Sequence, residues 1–400
     1  MPSVTLAGPT ARLIAIPFAS SENLALAQQI ATVISQNIAN GTAVTGQSGA
    51  FSPPVGPGKI GVFYQETNGI RILPPGYDAV VDNAAEATIF DFGNAGESVL
   101  SGDGNLNFFA VGGSGTVVSG GGNNDIGIVD GSWLVATGDG DDTISVVGPG
   151  DATIRPGGGE NQVTVIGGTD LLQLAGQNTV TALSGGDTID ATGAQRTVVR
   201  AGAANLTFLG GAGSATVLGG SGSDTVDGGS GSLSVVGGSA GNNHLFTGTS
   251  QATLFGGGSG DLLTAQGNQS QVLLAGPGNE TLSAALSSGN VSMFGGKGRD
   301  SLIGGLGRDT FVGGAGQATM DGGSGTDTFE FVSGKAGGLD LLVAFADADR
   351  VALIGYGPDA VADALASART VHESVTIGLS DGTSITFSGI TKLTSSDFVT

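Results

Sequence analysis

The sequence predicts an all-β fold, a parallel β-solenoid of glycine-rich nonapeptide repeats, on three observations. Glycine accounts for 76 of 400 residues without the every-third spacing of a collagen helix. Residues 295–330 read as four units of the form Gly-Gly-x-Gly-x-Asp-x-apolar-x laid end to end: "GGKGRDSLI", "GGLGRDTFV", "GGAGQATMD" and "GGSGTDTFE". Full or partial copies lie upstream, "GGAGSATVL" at 210, "GGSGSDTVD" at 219, "GGSGSLSVV" at 228 and "GGGSGDLLT" at 256, with looser ones reaching through "TGDGDDTIS" at 137 to "SGDGNL" at 101. In each unit glycines permit a tight turn, the apolar eighth residue points inward, and each coil pairs its backbone with the next.

Three segments follow. Residues 1–100 are expected to form a small α+β cap, 101–335 the repeat, and 336–400 a β-rich C-terminal cap. Within the first, "SSENLALAQQIATVISQNIAN" carries Leu24, Ala27, Ile30, Ile34 and Ile38 at helical spacing, with Ser21 or Ser20 as a cap and Gly41 as a stop. A proline and glycine linker, "SPPVGPG", then leads to strand-like runs in "KIGVFYQ", "GIRILPPG" and "ATIFDFG". The last segment reads as "GLDLLVAFADADRVALIGYG", a short helix in "PDAVADALASA" and two strands in "VTIGLSDGTSITFSG".

Composition narrows the function. Asp and Glu number 35 against 13 Lys and Arg, a formal net charge of -22, so nucleic acid and anionic membrane surfaces, both polyanions, would repel the chain. Only 12% of residues are charged and 39% are hydrophobic, enough apolar material for a core. There is no cysteine, hence neither a disulfide framework nor a thiolate metal site. No basic stretch followed by an apolar run marks a signal peptide, and no run of apolar residues is long enough to insert in a membrane.

At the repeat residues, most fully over 295–330 and again over 210–236, the chain resembles the RTX family of hemolysin-type calcium-binding repeats. The resemblance implies a parallel β-roll in which each coil contributes two turns on opposite edges. It also implies calcium between successive turns of one edge, held by the sixth-position aspartate and by backbone carbonyls, which suits a hard cation. A site then needs acids about 18 residues apart. Sorted that way, one edge carries Asp224, then Asn242 or Asn243, Asp261, Glu280, Asp300 and Ala318; the other carries Ala215, Leu233, Ala252, Gln271, Asn290, Asp309 and Asp327. The resemblance therefore assigns calcium first to Asp309 with Asp327, next to Glu280 with Asp300, and then to Asp224 and Asp261, with Ala318 ending the column on its edge. The tail resembles that of RTX proteins exported by type I secretion machinery, whose C-terminus is an uncleaved signal, and Asp397, Phe398 and Val399 match the acid-then-apolar ending of many of them. The expected location is outside the cell.

No catalytic constellation accompanies the repeat. The two histidines, His244 and His372, fall in no HExxH motif. "GGSAG" at 237–241 satisfies a nucleophile-elbow pattern only numerically, since its setting lacks the strand-turn-helix that chemistry needs. The chain is read as a non-enzyme, with a polysaccharide-modifying activity the remaining enzymatic alternative.

The ninth position of each unit faces out if the eighth faces in. On one sheet the ninth residues are mixed: Asp227, Phe246, Thr264, Ser283, Ile303 and Asp321. On the other they are Leu218, Val236, Phe255, Leu274, Phe294 and Val312, all apolar. Such a stripe calls for a cover: a second copy of the roll, the N-terminal cap, or a register shifted by one residue that turns the column inward. Two functions fit: a secreted structural protein that self-assembles into a filament, surface layer or biofilm matrix, or an adhesin or carbohydrate-binding module for a surface polysaccharide. The scarcity of Trp and Tyr, one and three, favours the first, with Trp133 in "DGSWLVAT" read as a partly buried strand residue.

Overall fold

The computed structural model describes residues 2–9, 12–18, 21, 23–93 and 95–399. Half of the residues lie in strands, which make about 17 turns of parallel β-solenoid. The chain divides into two compact units, Met1–Val199 and Arg200–Thr400.

The first unit opens with an antiparallel hairpin, Ser3–Ala7 with Leu13–Pro17, and a helix, α1, over Leu24–Ala39. The helix buries Ala27, Ile30, Ala31 and Ile34, one apolar face of the predicted spacing. Its N-cap is Asn23, not Ser21; Ser20 lies outside the described residues. The Asn23 side chain leaves the helix uncapped and donates instead to the Thr137 carbonyl at 2.6 Å.

Parallel pairing begins at Ala43–Gln47 on Ile60–Gln65, well before 101, so the α+β cap expected over 1–100 shrinks to the hairpin and the helix. From there one ladder runs through Tyr77–Asp82, Ala95–Ser101, Ser114–Val118 and Ser132–Ala136. The other runs through Gly69–Ile72, Glu86–Asp91, Asn105–Val111, Asp125–Val129 and Thr143–Val147. The early coils escaped the repeat pattern because turns such as "NAAE" at 83–86 replace the glycine motif. Trp133 is buried in Ser132–Ala136 with its ring 5.7 Å from that of Phe108, a core residue.

In the first ladder the last outward residues pair in register: Tyr64, Val81, Leu100, Val118 and Ala136. The hairpin and α1 cover this column. Val4, Leu6, Ile14, Ile16, Ala27 and Ile30 join Tyr64, Val81, Leu100 and Val118 in one buried cluster, each large side chain contributing roughly 1.5–3 kcal/mol. The Tyr64 hydroxyl donates to the Ala7 carbonyl at 2.7 Å and fixes the hairpin on the sheet.

In the second unit one ladder runs from Thr207–Gly210 to Leu339–Val343 and the other from Ser214–Leu218 to Arg350–Ile354. The repeat thus continues beyond 335, where the C-terminal cap was expected to start. The eighth residues Val217, Val235, Leu254, Leu273, Met293 and Phe311 are all buried, which overturns the one-residue register shift. Closure comes from Ser384–Ser388, which pairs parallel with Leu339–Val343 and antiparallel with Ser374–Gly378. Beneath it the rings of Phe311, Phe329, Phe345 and Phe387 follow one another at 4.9, 5.8 and 5.2 Å. The second helix, α2, spans Ala360–Ser367. Phe398–Val399 adds a short parallel strand to Arg350–Ile354 after a capping box between Thr394 and Asp397. Among the described residues no helix is long and apolar enough to cross a membrane.

The third glycine of the motif is needed for stacking as much as for turning. A Cβ at Gly307 would lie 2.2 Å from the Gly289 carbonyl oxygen, and one at Gly325 would lie 1.9 Å from that of Gly307. Successive turns approach closely enough that only hydrogen fits.

Inside the first unit, the Glu97 and Asp91 carboxyls are buried beside each other. Burial first, then the neighbouring Asp91 carboxyl, pushes the Glu97 carboxyl up to about 9. A raised carboxyl favours the fold while protonated, so its contribution is whole below pH about 4 and is lost as pH climbs towards 9. Glu97→Gln should therefore raise the thermal midpoint by several degrees at pH 8 and leave it nearly unchanged at pH 4; equal midpoints at both values would show that Glu97 is not held protonated.

Candidate metal columns and assembly face

The sixth-position side chains lie inside the turns. Asp224, Asp261, Glu280, Asp300, Asp309 and Asp327 are all buried, and most serve the backbone of the preceding coil. The Asp309 amide donates to Asp327 Oδ1 at 2.8 Å and the Val291 amide to Asp309 Oδ1 at 2.8 Å. The Glu280 amide donates to Asp300 Oδ1 at 3.0 Å, the Asn243 amide to Asp261 Oδ1 at 2.8 Å, and the Leu206 amide to Asp224 Oδ1 at 3.3 Å. The second oxygen often accepts an amide of its own turn: Gly305 to Asp309 Oδ2 at 2.8 Å, Gly296 to Asp300 Oδ2 at 2.8 Å and Gly258 to Asp261 Oδ2 at 3.2 Å. These are charge-assisted bonds to buried amides that have no water to turn to.

The register corrects the edges. Asp224 faces Asn243, which settles the choice between Asn242 and Asn243. Asp309 faces Val291 rather than Asn290, whose side chain is one place earlier and accepts the Arg308 amide at 3.0 Å. Ala318 does not end its column, because its own amide donates to Asp340 Oδ1 at 2.8 Å. Likewise the Asp327 amide donates to Asp349 Oδ1 at 3.0 Å. Asp340 and Asp349 were missed because 22 residues, not 18, separate them from Ala318 and Asp327; the available signal was an acid followed by alternating apolar residues in "DLLVAF" and "DRVALI".

Asparagine performs the same task upstream. The Leu106 amide donates to Asn124 Oδ1, the Asn124 amide to Asp142 Oδ1 and the Asp142 amide to Asn161 Oδ1, at 3.1, 2.8 and 3.1 Å. A second row at the fifth position reaches the other way. Asn123 accepts the Asp141 amide at 3.0 Å and Asp141 accepts that of Glu160 at 2.8 Å. Each edge is stapled backward by one row and forward by the other.

Calcium fits these columns unevenly. Both Asp309 oxygens and Asp327 Oδ1 already accept amides. Neither Glu280 oxygen has a hydrogen-bond partner, nor does the second oxygen of Asp142, Asp170, Asp187, Asp224 or Asp340, although all are buried. Burial first, then the adjacent Asp300, raises the Glu280 carboxyl, and burial pushes Asp340 up to about 7. Asp309 and Asp224 are raised for the same reason, Asp327 to about 6. No cation offsets them: among the described residues the single ion pair joins Arg12 to Glu66. The oxygen-only donors of Glu280, whose carboxylate oxygens are unmet, and of the adjacent Asp300, whose oxygens accept the Glu280 and Gly296 amides, are of the kind a hard divalent ion takes. Among the described residues no three acidic or histidine side chains gather into a metal-holding group, so backbone carbonyls would complete the shell.

The apolar stripe is one continuous ladder. Leu218 pairs with Val236, Val236 with Phe255, Phe255 with Leu274, Leu274 with Phe294, and Phe294 with Val312, after which Glu330 ends it. Leu218, Val236 and Phe255 are 41%, 41% and 38% exposed, and the other three are half-buried. The seventh positions beside them are Thr216, Ser234, Thr253, Val272, Ser292 and Thr310. The outer face of these six strands carries no charge.

Residues 237–241 form a turn leading directly into the strand His244–Phe246, with no helix after it, so a nucleophile elbow has no scaffold there.

The amide ladder sets the expected outcome at Asp309. Asp309→Ala strands the Val291 and Gly305 amides and should cost about 2–6 kcal/mol at roughly 1–3 for each orphaned group. Asp309→Asn should cost under about 1 kcal/mol, since Asn243 shows that an amide side chain fills this position. Denaturant melts in chelator distinguish them, and equal losses for the two variants would show that the ladder is not what Asp309 supplies.

No protein-family model matches the chain and no curated protein matches it, so the chemistry of these columns rests on their own geometry.

Proposed function

We propose that this is a secreted, calcium-binding structural protein of the RTX kind that self-assembles at the cell surface or in an extracellular matrix. The observation that carries the reading is the uncharged, in-register apolar face Leu218–Val312 in a chain of net charge -22. Two copies of one strongly acidic chain repel except where a face is free of charge, and an exposed apolar row gains most by being covered. Parallel coils repeat at about 4.8 Å, so two such faces match in pitch over their whole length.

Calcium is the natural trigger. Where it is scarce, the buried carboxylates oppose close stacking of the turns, which keeps the chain loose for export by the type I route. Outside the cell the ion neutralises them and contributes its binding energy to folding. Glu280 and Asp300 are the residues proposed to hold it most tightly, followed by Asp309 with Asp327, and then Asp224 and Asp261.

One observation favours a second reading. Asp141, Glu160, Gln162, Gln177, Thr179 and Arg196 line an open polar cleft of about 250 Å³ in the first unit, a donor and acceptor set that suits the hydroxyls of a surface polysaccharide. On this reading the protein is an adhesin or carbohydrate-binding module, and it remains monomeric while it binds glycan.

Two measurements test the proposal. Calcium should raise the thermal midpoint of the full chain at pH 8, and Glu280→Gln should lose most of that gain; an identical midpoint in calcium and in chelator would remove the metal from the account. Sedimentation in calcium should show assemblies larger than a monomer, and replacing Phe255 and Phe294 together by serine should reduce their mass at least severalfold while circular dichroism stays that of the folded chain. Assembly undiminished by that pair would show that the stripe is not the interface.

A further inference from the structure

The first unit carries an apolar outer face of its own. In the ladder not covered by the hairpin and α1, Val111 pairs with Val129, Val129 with Val147, and Val147 with Ile166. Beside this column Ile72 pairs with Phe90 and Phe90 with Phe109. The Phe90 and Phe109 rings stack at 5.4 Å, and Phe92 stacks on Phe90 at 6.4 Å. Phe92, Val111 and Val129 are 65%, 52% and 50% exposed. The acidic outward residues of these strands, Glu86, Asp125 and Glu160, stand at the opposite, N-terminal ends of their strands. The last two outward positions of each strand are uncharged: Phe109 and Val111, Gly127 and Val129, Ser145 and Val147, Thr164 and Ile166.

The same unit shows what such a column does when a cover is at hand. Tyr64, Val81, Leu100 and Val118, the matching column of its other ladder, are fully buried by the hairpin and α1. That cover is used there, and Phe92, Val111 and Val129 stay in solvent.

We infer that this face is a second assembly surface, and that its partner is the same face of another copy of this chain. The inference rests on the self-assembly reading above and adds a valence to it. Absence of charge is what a like-charged partner requires, and the common coil pitch lets column lie along column. A single face meeting its like closes a two-fold dimer and stops, whereas two independent faces on one chain link copies without end. The assembly is therefore an open polymer in which two kinds of two-fold contact alternate.

Sedimentation of the full chain in calcium tests this with Val111→Glu and Val129→Glu together, which place acids on outward, half-exposed positions. The expected result is collapse of the polymer to a species of twice the chain mass of 38.8 kDa, still joined through Phe255 and Phe294. A polymer of unchanged size overturns the inference, and so does a monomer, which would mean that the two faces dock on each other. A monomeric unmodified protein would instead defeat the self-assembly reading itself. Should the double variant unfold, Val129→Cys decides on its own. The chain has no other cysteine, so mild oxidation of folded protein in calcium gives a covalent dimer if this face meets its like and none if it does not.

Discussion

Every feature of this protein depends on the close stacking of one turn upon the next. Parallel coils at about 4.8 Å bring the turn backbones together until a Cβ at Gly325 would sit 1.9 Å from the carbonyl of the coil before. That approach removes water from the turns, and amides that no strand ladder satisfies need an acceptor. The sixth-position side chain supplies it by reaching back one coil, as from Asp327 to the Asp309 amide. The aspartate of the motif is thus a structural acceptor. The same demand explains why Asn124, Asn161 and Asn243 occupy it elsewhere.

Acceptors that are also charges bring a cost. Removing carboxylates from water disfavours their ionised form, which holds Asp142, Asp170 and Asp187 at about 6. Asparagine fills the same place without that cost. Those three acids, with Asp224, Glu280 and Asp340, also keep buried oxygens without a hydrogen-bond partner, where neutralisation by a cation would be the natural gain. The column's acids are hydrogen-bond acceptors that also carry charge, and it is the charge that a hard cation would offset.

The outer faces obey a different rule. Strand alternation sends the residue after each core position to the surface, so a repeat that places apolar residues at both positions builds an apolar face automatically. The first unit covers one such column with its hairpin and α1. Leu218, Val236 and Phe255 in the second unit, and Val111 and Val129 in the first, stay exposed. Exposed apolar rows on flat sheets invite association, and in an acidic chain their freedom from charge confines that association to these places.

The sequence by itself determined the parallel solenoid and the two-residue alternation of its strands, while the choice of the eighth position as core over a one-residue shift was settled by the burial of Val217, Val235, Leu254, Leu273, Met293 and Phe311. It also determined the stripe from Leu218 to Val312, residue by residue. It did not reveal coils whose turns lack glycine, so that pairing from Ala43–Gln47 onward and the continuation through Arg350–Ile354 emerged only from the structure. Tertiary structure alone decided that the acids point into the turns, that Asp340 and Asp349 extend the columns across a 22-residue gap, and that Asp309 faces Val291. The physical reason is common to all three. A residue's partner in a solenoid is set by where the backbone of the neighbouring coil falls, and turns of unequal length move that backbone without leaving a mark in the local pattern.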